Sequence, residues 1–432
     1  MSRILSGKFH IKKRPLPQWL TLYLFFMSFL VVSLQSFLGL PAEIKYTLDV
    51  AWVLIIALLF LRKKVVLYKK LIPFLILIGV FIAYTALVYI LRFQSPFYYL
   101  WGFRNNFRFY FAFIAFCMLF VEDDVELCLK FVDVLFWINA VVTLFQFFVL
   151  GYRQDYLGGI FGVERGCNGY SIIFFTIVIS KSILKFMSRE EHVLICIAKC
   201  SVALLISAMA ELKFFFLLFM LIFLLSTILT SFSWRKFFLV FVCALLISFT
   251  GSLLTELFGE SSNISLDRII ELIFTDTYST AEDLSRYTAI PTLSSSVMTD
   301  TSQRLLGLGL GNCDTSSFEI CNTPFFNIYS HLHYNWFLSA FLFLETGYIG
   351  LLIYLMFFVM CFVCAFNLRK REGINVLYCQ MAIILSLICI LITFYNSALR
   401  METGYMAYFV LALPLISSKP ELQYKRRLNI HK

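Results

Sequence analysis

The chain has 432 residues, of which 60% are hydrophobic and 14% charged, and its formal net charge is +10. Soluble domains run at about 45–50% apolar and about 25% charged, so an ordinary soluble protein is excluded. The basic residues are not gathered in one domain but sit in clusters between apolar runs, which argues against nucleic-acid binding and for the loops of a helical membrane protein.

The apolar runs are long and unbroken, with Phe, Leu and Ile at every phase. An outer-membrane barrel would show short alternating strands instead. A helix that is apolar all round suits lipid or a bundle interior. Spans need about 20 apolar residues. In chain order the candidates are Trp19–Leu38, Ile44–Leu61, Leu71–Leu91, Phe107–Val121, Leu127–Leu150, Tyr170–Phe186, Val193–Ala210, Phe214–Thr230, Phe237–Phe258, Trp336–Phe366, Ile374–Tyr395 and Met401–Ile416. The fourth and last are short, and only Glu211-Leu212-Lys213 splits the seventh from the eighth. The first run is too long for a cleaved signal and lacks a small-residue cleavage site. The expected fold is all-α, one integral membrane domain over residues 1–432 with about twelve transmembrane helices.

With the N-terminus inside, the inner segments carry 24 of the 36 Lys and Arg and the outer segments 11, with Lys199 inside a span. This bias predicts a multi-pass protein with both termini cytoplasmic. Most outer segments are short. The exception is Gly259–Asn335, an extracytoplasmic loop between spans nine and ten, in which Asp283–Met298 has the makings of a short helix. No internal repeat is visible, which weighs against transporter folds built from paired repeats. The tenth run is longer than one span needs. Counting back about 20 residues from Phe366, next to the basic Arg369–Arg371, sets the outer boundary near Gly347 and puts Glu345 beside the long loop.

Nine of the eleven outer basic residues are Arg, and the outer loops hold His331 and His333, two of the five His in the chain. Arg presents a planar fork of donors suited to phosphate, and His is the usual general base near neutral pH. For each outer Arg the alternative is snorkelling to lipid phosphates. Arg104 and Arg108 are spaced i, i+4 at the outer start of the fourth span, as a polyanion clamp or as interfacial anchors. Lys213 sits at a tight outward hairpin, where a cation has few structural uses. Arg286 falls on the expected loop helix. Gly307-Leu-Gly309-Leu-Gly311 lacks the Gly-Lys-Ser/Thr ending of a P-loop and reads as a tight turn. No Asp-x-Asp motif or zinc-ligand spacing is present on the outer face, so neither a metal nor another cofactor is expected. Most of the twelve Cys lie in apolar runs. Cys313 and Cys321 lie in the long loop, where a disulfide closing a small loop would suit an oxidising compartment. Deep polar residues are few: Asp133, Asn139, Gln146 and Lys199.

The stretch His333-Tyr-Asn335-Trp-Phe-Leu-Ser-Ala-Phe-Leu-Phe-Leu-Glu345-Thr-Gly347-Tyr-Ile-Gly350-Leu resembles the signature of the O-antigen polymerase and ligase superfamily. Members show His-Asn, an apolar helix and then Glu-x-Gly-x-x-Gly-Leu, after a large outer loop with an Arg and a Gly-x-Gly turn. Arg286 and Gly307–Gly311 occur in that order, and Lys213 occupies a hairpin where the family often has Arg. Position 336 is Trp, so the family's His falls at His333 or His331. The resemblance implies a metal-independent glycosyltransferase on the outer face of the bacterial cytoplasmic membrane. Its substrates would be polyprenyl-pyrophosphate-linked oligosaccharides, joined during O-antigen or capsule synthesis. Implied partners are the lipid-linked donor and acceptor, membrane lipids, a flippase and a chain-length regulator. On this reading His333 is the base, while Arg286 and Lys213 hold the pyrophosphate with help from Arg104 or Arg108. Arg165, His331 and Asn335 contribute to substrate binding, and Glu345 orients His333 or a sugar hydroxyl. The rivals are a ligase of the same superfamily and a flippase for the same lipid-linked sugar.

Overall fold

The computed structural model describes residues 14–61, 68–231, 284–316, 318 and 321–419, with parts of 242–256. Eight helices come first: α1 (Leu16–Leu38), α2 (Tyr46–Phe60), α3 (Ile72–Leu91), α4 (Pro96–Leu119), α5 (Glu122–Phe148), α6 (Asn168–Met187), α7 (Val193–Met209) and α8 (Lys213–Leu229). Three short ones follow in the long loop: α9 (Ala289–Ser296), α10 (Thr301–Leu306) and α11 (Pro324–Tyr329). The last are α12 (Leu338–Leu368), α13 (Val376–Tyr395) and α14 (Thr403–Ser417). Among the described residues the fold is all-helical, with no strand. Six helices, α1, α3, α5, α6, α12 and α13, are long and apolar enough to cross a membrane, while α7, α8 and α14 are apolar but shorter. The expected ninth span lies largely outside the described residues, as does the loop up to residue 283.

Helix ends follow local chemistry. Prolines open α1, α3 and α4, where a missing N–H costs nothing. Gly39 closes α1 in the left-handed conformation at φ 63°. One boundary departs from expectation. The fourth span was expected from Phe107, yet α4 begins at Pro96, because Ser95-Pro96 provides a start that the polar Arg104–Asn106 does not interrupt. Arg104 and Arg108 therefore lie within the helix and not at its mouth.

Helix α14 is the centre of the bundle. All fifteen of its residues are buried, and it packs against α4, α13, α6 and α1. Tyr405 and Tyr408 meet Phe109 of α4 with ring centroids 4.9 and 5.7 Å apart. At the periphery α3 turns Ile76, Val80, Leu87 and Ile90 outward, an apolar exterior that suits lipid.

Between α5 and α6 the chain re-enters the bundle. Two 3-10 turns, Gln154–Tyr156 and Gly159–Phe161, precede α6, and the second is buried. Irregular backbone at such a depth needs partners for its N–H and C=O groups. Gln146 supplies two, accepting from the Gly159 N–H at 2.8 Å and donating to the Gly159 carbonyl at 2.9 Å. Asn139 accepts from the Ile160 N–H at 3.0 Å. Asn139 lies nine residues before the end of α5, so the segment descends about 14 Å along that helix. Gln146→Leu should thus leave buried backbone groups unpaired and lower stability by about 1–3 kcal/mol, read as a drop in the thermal midpoint of the purified protein in detergent. An unchanged midpoint would mean that Gln146 does not hold the segment.

The deep charged residues Asp133 and Lys199 are paired as well. Asp133 pairs with Lys181 and, at 3.2 Å, with Lys199, which reaches Glu191 at 3.3 Å. These charges neutralise one another at the end of the bundle opposite the long loop.

Candidate functional site

Part of the long loop is seated on the helices by backbone hydrogen bonds. Helix α12 is broken at Gly347, which adopts φ 64°, ψ −170°, a conformation open essentially only to glycine. The break frees the carbonyls of Leu344 and Glu345 from helical pairing. The N–H groups of Leu308 and Gly309 take their place, donating to them at 2.8 and 3.0 Å. Gly307 and Gly311 make the close approach possible. A Cβ on Gly307 would stand 2.4 Å from the Glu345 backbone, and one on Gly311 would stand 1.9 Å from the Tyr98 carbonyl of α4. The glycine-rich turn is a docking strand between α4 and α12, in keeping with its lack of P-loop residues.

The long loop also borders a cleft of about 970 Å³. Its walls come from the α5–α6 segment, the α7–α8 hairpin, the long loop and the α13–α14 turn. Arg165, Lys213, Arg286 and His333 all line it, together with Asp155, Glu211 and Tyr395. Residues as far apart in sequence as Asp155 and Tyr395 thus face one space.

Each cationic group is held differently. The hairpin turns through Glu211, which is left-handed at φ 53°, and Lys213 begins α8 with its ammonium 3.0 Å from the Glu211 carboxylate. Arg165 is exposed at the rim and makes no ion pair among the described residues. Arg286 lies in the turn before α9, not on the helix expected there, since α9 starts at Ala289. Its Nε donates to the Tyr395 carbonyl at 3.3 Å, and its guanidinium sits 4.3 Å from the Tyr395 ring centroid. Tyr395 in turn stacks on Phe214 at 3.7 Å and 8°. One aromatic stack therefore ties Arg286 to the start of α8 beside Lys213.

His333 is left-handed at φ 51° and stacks on Trp336 at 4.2 Å. It is the histidine at the cleft. His331 is on the exposed outer side of its turn, with Nδ1 3.0 Å from the Ile328 carbonyl. The two successive 3-10 turns, Ser330–Leu332 and Tyr334–Trp336, reverse direction at His333 and separate the two rings.

Several expected site residues are elsewhere. Arg108 does not form a clamp with Arg104: it is buried, 3.6 Å from Glu402, and donates to the Arg400 carbonyl at 2.8 Å. A buried guanidinium needs such a counter-ion, which makes Arg108 a link between α4 and the α13–α14 turn. Arg104 pairs with Asp49 at 2.6 Å. Glu345 does not hydrogen-bond His333. Its side chain is buried with neither oxygen hydrogen-bonded, and the positive groups around it are the Gly311 and Cys313 amides and Arg400. Cys313 and Cys321 are free, buried thiols, and burial pushes both thiol pKa values up, which keeps them protonated and poorly nucleophilic.

Arg104 and Asn335 line a second, smaller cavity of about 280 Å³ with Lys45, Asp314 and Arg400. It shares Ser397 and Met401 with the cleft. Together the two spaces are lined by six Lys and Arg against three carboxylates, an anion-attracting surface. Arg400 and Asp314 went unnoticed as a pair in the sequence. Their only signal was that Arg400 is one of few outer Arg and lies in the short polar turn Asn396–Arg400. No protein-family model matches the chain, and no curated protein matches it.

Proposed function

We propose that the protein is a membrane glycosyltransferase that joins polyprenyl-pyrophosphate-linked oligosaccharide repeat units on the outer face of the bacterial cytoplasmic membrane. The observation that carries this reading is the gathering of Arg286, Lys213, Arg165 and His333 around one cleft. The Lys and Arg bias supports an outward-facing cleft, and the length and number of the apolar runs suit about twelve crossings.

The chemistry fits these groups. The acceptor hydroxyl attacks the anomeric carbon of the donor sugar and passes its proton to His333. The bond from that carbon to the pyrophosphate oxygen breaks, and the electron pair leaves with the lipid-linked pyrophosphate. Arg286, Lys213 and Arg165 stabilise the departing charge. Such a leaving group needs no strong acid.

The test is the ladder of surface polysaccharide in a deletion strain. The wild-type gene should restore the ladder, whereas His333→Ala, made at wild-type level and monodisperse in detergent, should leave single repeat units. Long polymer stranded on the carrier in the deletion strain would replace polymerase by ligase. An unchanged ladder in that strain would overturn both. The satisfied pairing of Asp133, Lys181, Lys199 and Glu191 leaves no unpaired charge among these deep groups for a flippase path.

A further inference from the structure

The smaller cavity has an imbalance that the cleft's chemistry does not use. Its carboxylate and the Asn105 side-chain oxygen are committed. Asp314 accepts from Asn105 at 2.6 Å, from the Thr315 N–H at 2.9 Å and from Arg400. The Asn105 side-chain Oδ1 accepts from Arg104 at 2.6 Å. Its donors are not all committed. Arg400 Nε and Trp101 Nε1 are buried without a partner. Lys45 makes no ion pair or hydrogen bond among the described residues, and its ammonium lies 5.6 Å from the Tyr46 ring centroid. Buried donors without acceptors are costly unless a ligand supplies the acceptors.

Three aromatic rings, Trp101, Phe326 and Phe341, also line the space, with the Arg400 guanidinium 3.7 Å from the Phe341 ring centroid. Flat apolar faces beside a few polar groups suit a sugar ring, and the volume of about 280 Å³ suits one monosaccharide more than an oligosaccharide. The surplus of donors calls for an anionic substituent. A carboxylate meets it with two acceptor oxygens.

We infer that this cavity is a saccharide subsite that selects a sugar bearing a carboxylate, such as a uronic acid, beside the bond-forming cleft. The inference rests on the glycosyltransferase reading for its purpose, since the shared Ser397 and Met401 place the bound sugar next to the reacting bond. It assigns to Lys45 the role of meeting the carboxylate.

The full-length protein in detergent, titrated with glucuronate, glucose and acetate and followed by ligand-observed NMR, tests it. Glucuronate should bind more tightly than either of the others. Lys45→Gln should weaken glucuronate about tenfold and leave glucose unchanged, and Lys45→Arg should keep the preference. Equal binding of glucose and glucuronate, or no sugar binding, would overturn the subsite. Acetate as tight as glucuronate would reduce it to a simple anion site and overturn the sugar assignment. Binding needs no lipid-linked substrate, so it is separable from catalysis. Glucuronate selection with an unchanged ladder in the deletion strain keeps the subsite and removes the transferase, and a lost ladder without selection does the reverse.

Discussion

Replacing Arg286 by Ala should slow polymer extension by about 10²–10³-fold, the usual consequence of removing one preorganised donor from a developing anion. The guanidinium is fixed against Tyr395, which is fixed against Phe214, so little reorganisation is left for the reaction step. Arg286→Lys keeps the charge but gives up the planar fork and the stacking face, and it should fall between wild type and Ala. The measurement is extension of lipid-linked repeat units by purified protein, with the thermal midpoint as a control for folding. Activity of Arg286→Ala within twofold of wild type, at equal stability, would remove Arg286 from the pyrophosphate site.

The second large effect is structural. Gly347→Ala should destabilise the protein by about 3 kcal/mol or more, because the residue's conformation excludes a side chain and the new Cβ would stand 2.3 Å from the Leu305 carbonyl. The rigid backbone of the docking strand has no slack to accept it. Gly79→Ala, in the middle of α3 with open space around it, is the control and should be neutral or slightly stabilising. Thermal melts of the two variants in detergent decide the matter. A Gly347→Ala protein that melts like wild type would mean that α12 does not need its break.

Helical class and hydrophobic exterior were readable from composition, because apolarity at every phase leaves few alternatives for a chain of this length. The break in α12 was not expected, though it falls at the residue where the outer boundary was set. A run of 31 residues exceeds one span, and counting back from the basic cluster reached Gly347, the residue whose backbone leaves the helix. The Glu211–Lys213 hairpin was the weakest boundary in the sequence and is a real turn. What the sequence did not show is who pairs with whom. Arg108 and Glu402 are 294 positions apart, and nothing local marks them as partners. The same blindness made Arg104 and Arg108 look like a clamp when each already has a carboxylate. Asn335 and His333 are two residues apart yet line different spaces, since a left-handed residue between two 3-10 turns cannot be read from the letters His-Tyr-Asn.

The junction between Leu308–Gly309 and the break in α12 has a consequence for the conditions under which the cleft keeps its shape. Its bonds run between peptide groups, which neither titrate nor attract counter-ions. The Lys213–Glu211 pair at the cleft, which is partly exposed, weakens as salt rises. The frame of the cleft is therefore buffered against its surroundings, while the charged groups that would grip a substrate stay tunable by them.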